Sequence, residues 1–461
     1  MANGNTKDLT VGNPMKLILG FSVPLLMGFL FQQFYSVVDT MIVGRILGTQ
    51  ALAGVGSTGA VNFMVIGFCM GVCNGFAIPI SQRFGAKDYN SMRKFISHSI
   101  ILCAVFAVVM TFFVSVFCRQ ILHAMNTPDD IFEYAYQYIF VIFLGIPVTY
   151  LYNLLSAIIR ALGDSKHPVI FLVIASFVNI GLDLFFILNL HMGIMGAALA
   201  TVISQLVSGI CCLVFMVTKL DILKLSKRDW ELDGGHFMIL FNMGIPMGLQ
   251  YSITAIGSIV IQIAINGQGS EAVAAVTAAN KVGMFLCCPF DAMGSTMSTY
   301  AGQNVGAKKL DHLQQGLIAC SKLGIIYALL ALVILWLFGA NFVRLFIDSS
   351  EETVINLAAY YLKWQSAFYI PLAFVNIVRF LIQGMGYSMF AILAGVCEMV
   401  GRILAALVLT PLFGFTGIAM ASPVAWILAD AFLIPAYIMV RNKLRKIFEE
   451  SIIHENMNLQ S

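Results

Sequence analysis

Charge is scarce in this chain: 11% of its 461 residues are Asp, Glu, Lys or Arg, while 59% are hydrophobic. Ordinary globular proteins carry about a quarter charged residues, so a soluble protein built around one core is excluded. Histidine is sparse too, with 7 residues and no cluster at metal-ligand spacing; Cys69 and Cys73 share a helix face at i, i+4 but have no histidine nearby. No nucleophile motif falls at membrane depth, so an embedded enzyme is not expected. The formal net charge is only +3, and the basic residues are not interleaved with aromatics, which excludes nucleic acid as a partner. Also missing are segments of about ten residues alternating apolar and polar, the mark of a membrane β-barrel. The 10 cysteines lie mostly inside apolar stretches, including the neighbours Cys211 with Cys212 and Cys287 with Cys288, and read as small buried residues rather than a disulfide framework.

What the chain does have is apolar segments of 20 or more residues, recurring from Leu17 to the region of Val440. Each is long enough to cross about 30 Å of hydrocarbon at about 1.5 Å per residue. Apolar runs read against polar breaks predict spans at 17–45, 51–79, 95–117, 132–155, 168–190, 192–217, 237–266, 272–298, 316–339, 353–378, 389–410 and 415–440. The expected fold class is all-α and polytopic, with twelve transmembrane helices. Lys and Arg collect in QRFGAKDYNSMRK, RALGDSKHP, TKLDILKLSKRD, GAKKLDH and RNKLRK, whereas NTPDDIFE and DSSEE on the other side are acidic. By the positive-inside rule both termini are cytoplasmic, in an inner or plasma membrane. The polar first sixteen residues run into a long span without a small-residue cleavage pattern, so the first helix is expected to be retained.

The longest break, 218–236, divides the helices six and six, giving an N-terminal bundle (1–217), a cytoplasmic linker (218–236) and a C-terminal bundle with its tail (237–461). The halves repeat each other. SQRFGAKDYNSMRK (81–94) matches AGQNVGAKKLDHLQ (301–314), TQALAGVG (49–56) matches SEAVAAVT (270–277), Pro24 matches Pro246, RALGDS (160–165) matches QGMGYS (383–388), and GIMGAALA (193–200) matches GFTGIAMA (414–421). The offsets are 221 to 223 residues, allowing one-residue gaps. An even number of helices per half predicts a pseudo-twofold axis along the membrane normal, with a substrate path between the bundles.

Ionisable groups in hydrocarbon are costly, and each one marks a candidate site. In the first half these are Asp39 on helix 1 and Asp183 on helix 5, with Asn179 one turn before Asp183. Counting rise per residue puts Asp39 and Asp183 about 10 Å below the outer helix ends and Thr201 about 13 Å below. Carboxylates, an amide oxygen and a hydroxyl at one depth suit either a small alkali cation or a shared proton. The repeat acts as a control: the second-half counterparts of Asp39, Asn179, Asp183 and Thr201 are Ile261, Arg402, Ala406 and Ser422. Scaffolding needs would have been kept in both copies, so the asymmetry points to a specialised N-terminal cation site.

The second half has Asp291 and Lys281 on helix 8, and Glu398 with Arg402 at ion-pair spacing on helix 11. Asp291 is a candidate contact for a cationic substrate or a partner for Lys281 or Arg402. Lys363 is placed to snorkel outward. Pro24, in the same helix as Asp39, is a candidate hinge. The 24 Met and 36 Phe would suit an adaptable apolar cavity.

These residues resemble the multidrug and toxic compound extrusion (MATE) family along the whole chain. The resemblance rests on Pro24, Gln33 and VVDTMIVG (37–44), ALAGVG (51–56), QRFGAKD (82–88), ALGDSKHP (161–168), Asn179 with Asp183, and GAALAT (196–201). It implies two six-helix bundles around a V-shaped cavity and export of cationic or amphipathic compounds against inward Na+ or H+. In the DNA-damage-inducible-type branch, the cation site would use Asp39, Asn179, Asp183, Thr201 and the carbonyl of Ala197, with Na+ held there if sodium is the coupling ion. A C-terminal site with acids on helices 7 and 10, as in another branch, is not matched: helix 7 has no Asp or Glu, and helix 10 has none after Glu352. Gln33 and Asp291 are the candidate substrate contacts. No cofactor is expected beyond the coupling ion. The expected partners are small hydrophobic or cationic compounds and membrane lipid, the expected state is a monomer, and the alternative is a flippase for lipid-linked substrates.

Overall fold

An apolar chain in lipid must satisfy its backbone N–H and C=O groups internally, and helices do so within each segment. The computed structural model describes residues 6–347 and 351–460, with side chains as far as Ser451; residues 348–350 of the acidic DSSEE break lie outside the described residues. Among the described residues there is no strand. The α-helices are α1 (Pro14–Ile46), α2 (Thr49–Ser57), α3 (Gly59–Gly85), α4 (Tyr89–Val116), α5 (Cys118–Ala124), α6 (Asp129–Leu144), α7 (Ile146–Ala161), α8 (Lys166–Leu184), α9 (Gly193–Lys219), α10 (Gly234–Asn266), α11 (Ser270–Gly306), α12 (Leu310–Val343), α13 (Glu352–Ala367), α14 (Tyr369–Gly384), α15 (Met389–Leu404), α16 (Thr410–Phe413), α17 (Phe415–Ala419) and α18 (Ala421–Gln460).

Ten helices among the described residues are long and apolar enough to cross a membrane, and two bent pairs raise the number to twelve. The pairs are α6 with α7, bent by 50°, and α13 with α14, bent by 52°. Pro147 and Pro371 stand near the starts of α7 and α14, where a missing N–H and a clashing ring interrupt the preceding helix. The bends fall at matching places in the two halves, as do the π-turns Phe185–Asn189 and Ala405–Leu409. Three predicted spans need correction. The stretch 51–79 is broken at Thr58, 132–155 contains the bend at Gly145, and 353–378 contains the bend at Phe368.

Contacts group the chain into two units: Val23–Phe84 and Asp88–Ala255 with the residues up to Asp8, and Leu9–Ser22, Gly85–Lys87 and Ile256–Ser461. In the first unit, α3 and the first half of α10 meet through glycines spaced four apart. A Cβ on Gly71 would stand 2.4 Å from the Met247 carbonyl oxygen, and one on Gly75 would stand 2.6 Å from Gly244 Cα. Small residues allow this approach, which substitutes van der Waals contact for the hydrophobic drive that lipid removes. The break 218–236 is docked on α4. Asp229 accepts from Ser226 N (2.7 Å) and Oγ (2.9 Å) and lies 3.6 Å from Arg93 Nε, its carbonyl accepts from Ser97, and the Asp233 N–H donates to His98 Nε2 at 3.0 Å.

In the second unit, residues 9–12 strap onto α11 and α12. Leu9 N donates to Gln303 Oε1 at 2.8 Å, Lys309 Nζ to the Thr10 carbonyl at 2.8 Å, and His312 Nε2 to the Gly12 carbonyl at 3.1 Å. Close helix contact recurs here too, since a Cβ on Gly401 of α15 would lie 2.6 Å from Ala425 Cα on α18.

Candidate functional site

Four helices of the first unit bring the site together: α1 carries Tyr35 and Asp39, α6 Tyr138, α8 Asn179 and Asp183, and α9 Ala197 and Thr201. Spacings of four residues on α1, α8 and α9 put each pair on one helix face. Asn179 and Asp183 are fully buried, and the π-turn Phe185–Asn189 begins two residues after Asp183. Such turns loosen the helical ladder where a side chain must be aimed.

With its amide oriented to satisfy both neighbours, Asn179 donates to Asp183 Oδ2 at 3.0 Å and accepts from the Thr201 N–H at 3.1 Å. The Thr201 hydroxyl donates to the Ala197 carbonyl at 3.1 Å and accepts from Tyr35, leaving one lone pair for an ion. Asp39 and Asp183 lie within interaction range of each other, with Tyr35 and Tyr138 beside them. Neither carboxylate has a Lys or Arg partner among the described residues, and Asp39 Oδ1 and Asp183 Oδ1 are both buried with no hydrogen bond. Two neighbouring carboxylates without a basic partner cannot both stay charged and dry; the arrangement calls for a cation or a proton. The donor set is all oxygen: two carboxylates, an amide, a hydroxyl and a carbonyl. That chemistry suits a hard alkali ion, and a pair of close acids equally suits one shared proton.

Tyr35 and Tyr138 are additions to the residues found from sequence. Tyr35 stands one turn before Asp39, a signal the sequence already held, whereas Tyr138 reaches the site only through the packing of α6. Gln33 is half-buried on α1, six residues before Asp39 and on another face, and Pro24 is half-buried within the continuous α1.

In the second unit, Asp291 is exposed on α11 and makes no ion pair among the described residues. Of its two suggested partners, Lys281 lies 5.9 Å from the Phe346 ring centroid and Arg402 Nη2 lies 3.7 Å from Glu398 Oε2. Lys363 is exposed, 5.9 Å from the Trp336 ring centroid. The Glu398 and Arg402 spacing is only part of that cluster, because Glu398 Oε1 pairs with the buried Arg379 of α14. Arg379 falls one residue past the predicted span 353–378 and so escapes a search for ionisable groups within spans. Asp430 on α18 interacts with Arg379 and lies inside the predicted span 415–440, where the same search would find it.

Comparison with known proteins follows the repeat. The MatE family profile matches twice, at residues 24–185 and 246–408. The chain is similar to the probable multidrug resistance protein YpnP of Bacillus subtilis (strain 168), with 30% identity over 379 residues, 80% of this chain and 82% of that one. It is similar at 22% identity over 414 residues to a FAD transporter of Shewanella oneidensis, covering 89% of this chain and 91% of the relative. Among solved structures, the outward-facing conformation of a multidrug resistance MATE family transporter of the MOP superfamily aligns with a TM-score of 0.89 at 23% identity, over 97% of this chain and all of that one (100%).

Proposed function

Because the chain belongs to the multidrug and toxic compound extrusion (MATE) family of membrane transporters, we propose that it is a secondary active antiporter exporting cationic or amphipathic organic compounds in exchange for inward Na+ or H+. One observation carries this reading: Asp39 and Asp183 stand together, each with a buried oxygen lacking a hydrogen bond and neither with a basic partner among the described residues. The matching positions Ile261 and Ala406 in the second half are apolar, so this acid pair belongs to one copy of a duplicated fold. The coupling ion is held by Asp39 and Asp183, with Asn179, Thr201 and the Ala197 carbonyl completing its shell. Binding one monovalent ion cancels one of the pair's two negative charges and relieves the repulsion between them; antiport requires the two transport states to bind that ion with different affinities.

The substrate class follows from the family and from relatives described as multidrug resistance proteins. Gln33 and Asp291 are proposed as substrate contacts and Pro24 as the hinge of α1. We further propose a monomer with both termini cytoplasmic and six helices in each half.

The deciding experiment is transport of a lipophilic cation into proteoliposomes while Na+ and pH gradients are imposed separately, with a flavin nucleotide as a second cargo. Uptake driven by one gradient and lost in Asp39→Asn or Asp183→Asn is expected. Flux of equal size without either gradient would overturn antiport.

A further inference from the structure

The second unit contains a line of alternating charges, buried at its centre and half-buried at its ends, that the coupling site does not use. It runs Asp430 on α18, Arg379 on α14, Glu398 on α15 and Arg402 on α15. Arg379 and Glu398 are 6% and 5% exposed, so nine-tenths or more of each is inside the protein. Two acids and two bases balance on paper, yet the line is not closed: Asp430 Oδ1 is buried with no hydrogen bond. Seven residues further along α18, on the same face and about 10 Å along the axis, the Tyr437 hydroxyl is also buried without a partner. Arg441 follows one turn later, within interaction range of Tyr437 and in the basic RNKLRK segment.

Buried polar atoms are nearly always hydrogen-bonded, and those that are not mark sites of ordered water or of exchanging protons. Here two such atoms stand in file between the basic end of α18 and the open end of the ion line. The other charged and titratable groups around the line are few. α13 brings Tyr361 towards Arg402, and α17 (FTGIA) has none.

We propose that Asp430 is a second exchangeable proton site, separate from Asp39 and Asp183 and reached from the Arg441 end along the Tyr437 face of α18. A hydronium ion at that end gives its proton to the Asp430 carboxylate and leaves water behind. Arg379 keeps its charge throughout, because guanidinium does not deprotonate in proteins. Neutralising Asp430 removes one of the two anions near Arg379 and so weakens the electrostatic attraction between α14 and α18. The ion line thereby links the proton load of α18 to the packing of three helices. This reading does not rest on the N-terminal site.

The test is infrared difference titration of the full chain in nanodiscs, in an Asp39→Asn/Asp183→Asn background so that those carboxyls are silent. A protonated-carboxyl C=O band that fades as pH rises is expected, and Asp430→Asn should remove it. If Asp430→Asn does not purify as a monodisperse protein, Asp430→Glu should keep the band at a displaced frequency. No such band, or a band that survives Asp430→Asn and disappears in Glu398→Gln, would overturn the assignment. Tyr437→Phe should leave the band's final amplitude intact while slowing its appearance after a pH jump at least about threefold, equivalent to about 0.65 kcal/mol of barrier; an unchanged rate would overturn the route.

Discussion

The side-chain amide of Asn179 lies 3.0 Å from Asp183 Oδ2, one turn further along α8, and its oxygen meets the Thr201 N–H at 3.1 Å. One neutral side chain thus fixes the carboxylate of its own helix against the backbone of α9. A hydrogen bond to a charged group is worth about 1.5–3 kcal/mol. Asn179→Leu should therefore weaken the apparent affinity for the coupling ion by about tenfold or more, read from the ion dependence of transport in proteoliposomes. Asn153→Leu, which loses only a bond to the Thr149 carbonyl within α7, should change it less than about twofold, as expected when less than about 0.4 kcal/mol is involved.

Tyr35 bonds Thr201 and stands beside Asp39. Tyr35→Phe keeps the ring and removes the hydroxyl, so a loss of about 1 kcal/mol, or about fivefold in apparent ion affinity, is expected. Maximal transport at saturating ion should be kept. If Tyr35→Phe instead abolishes transport at every ion concentration, the hydroxyl does more than hold Thr201 in place.

Gly75 has no room for a side chain, since a Cβ would come 2.6 Å from Gly244 Cα. Gly75→Val should destabilise the α3 and α10 contact by about 1–3 kcal/mol, seen as a lowered melting temperature of the purified protein. Gly56→Ala, where nothing lies within 4 Å, should melt no lower than the unsubstituted chain.

Asp88 caps α4, accepting from the Ser91 N–H at 3.1 Å, and the Ser91 hydrogen bonds hold its carboxyl below the ordinary value of 3.8. A depressed folded-state value means that the stabilisation is fully present above the unfolded value and is lost as pH falls through the folded one. Asp88→Ala should cost about 1 kcal/mol at neutral pH. The gap in melting temperature between the two proteins should close only in acid below about pH 4; a gap independent of pH would show that the lost cap is not electrostatic.

The apolar runs, the repeat and the acids on α1 and α8 were legible in sequence because each depends on local order. A helix must be long enough to span, a duplicated half keeps its spacing, and a carboxylate in hydrocarbon stands out against its neighbours. Tyr35 was within reach of the same reasoning, being one turn from Asp39. Glu398 and Arg402 were legible as a pair but not as a line, since Arg379 and Asp430 join them from α14 and α18. The bends at Gly145 and Phe368 do not show in hydropathy, which continues smoothly through a kink, although Pro147 and Pro371 mark both places in the sequence.

The sequence by itself determined that this chain spans a membrane with helices, repeats its first half in its second, and keeps a carboxylate pair in one copy alone. Only the tertiary structure decided which side chains meet: Tyr138 with the acid pair, Asn179 with the Thr201 backbone, Arg379 between Glu398 and Asp430. Contacts between residues dozens of positions apart follow from how helix faces pack, and the glycine spacings and bends that set this packing act across helices rather than along them.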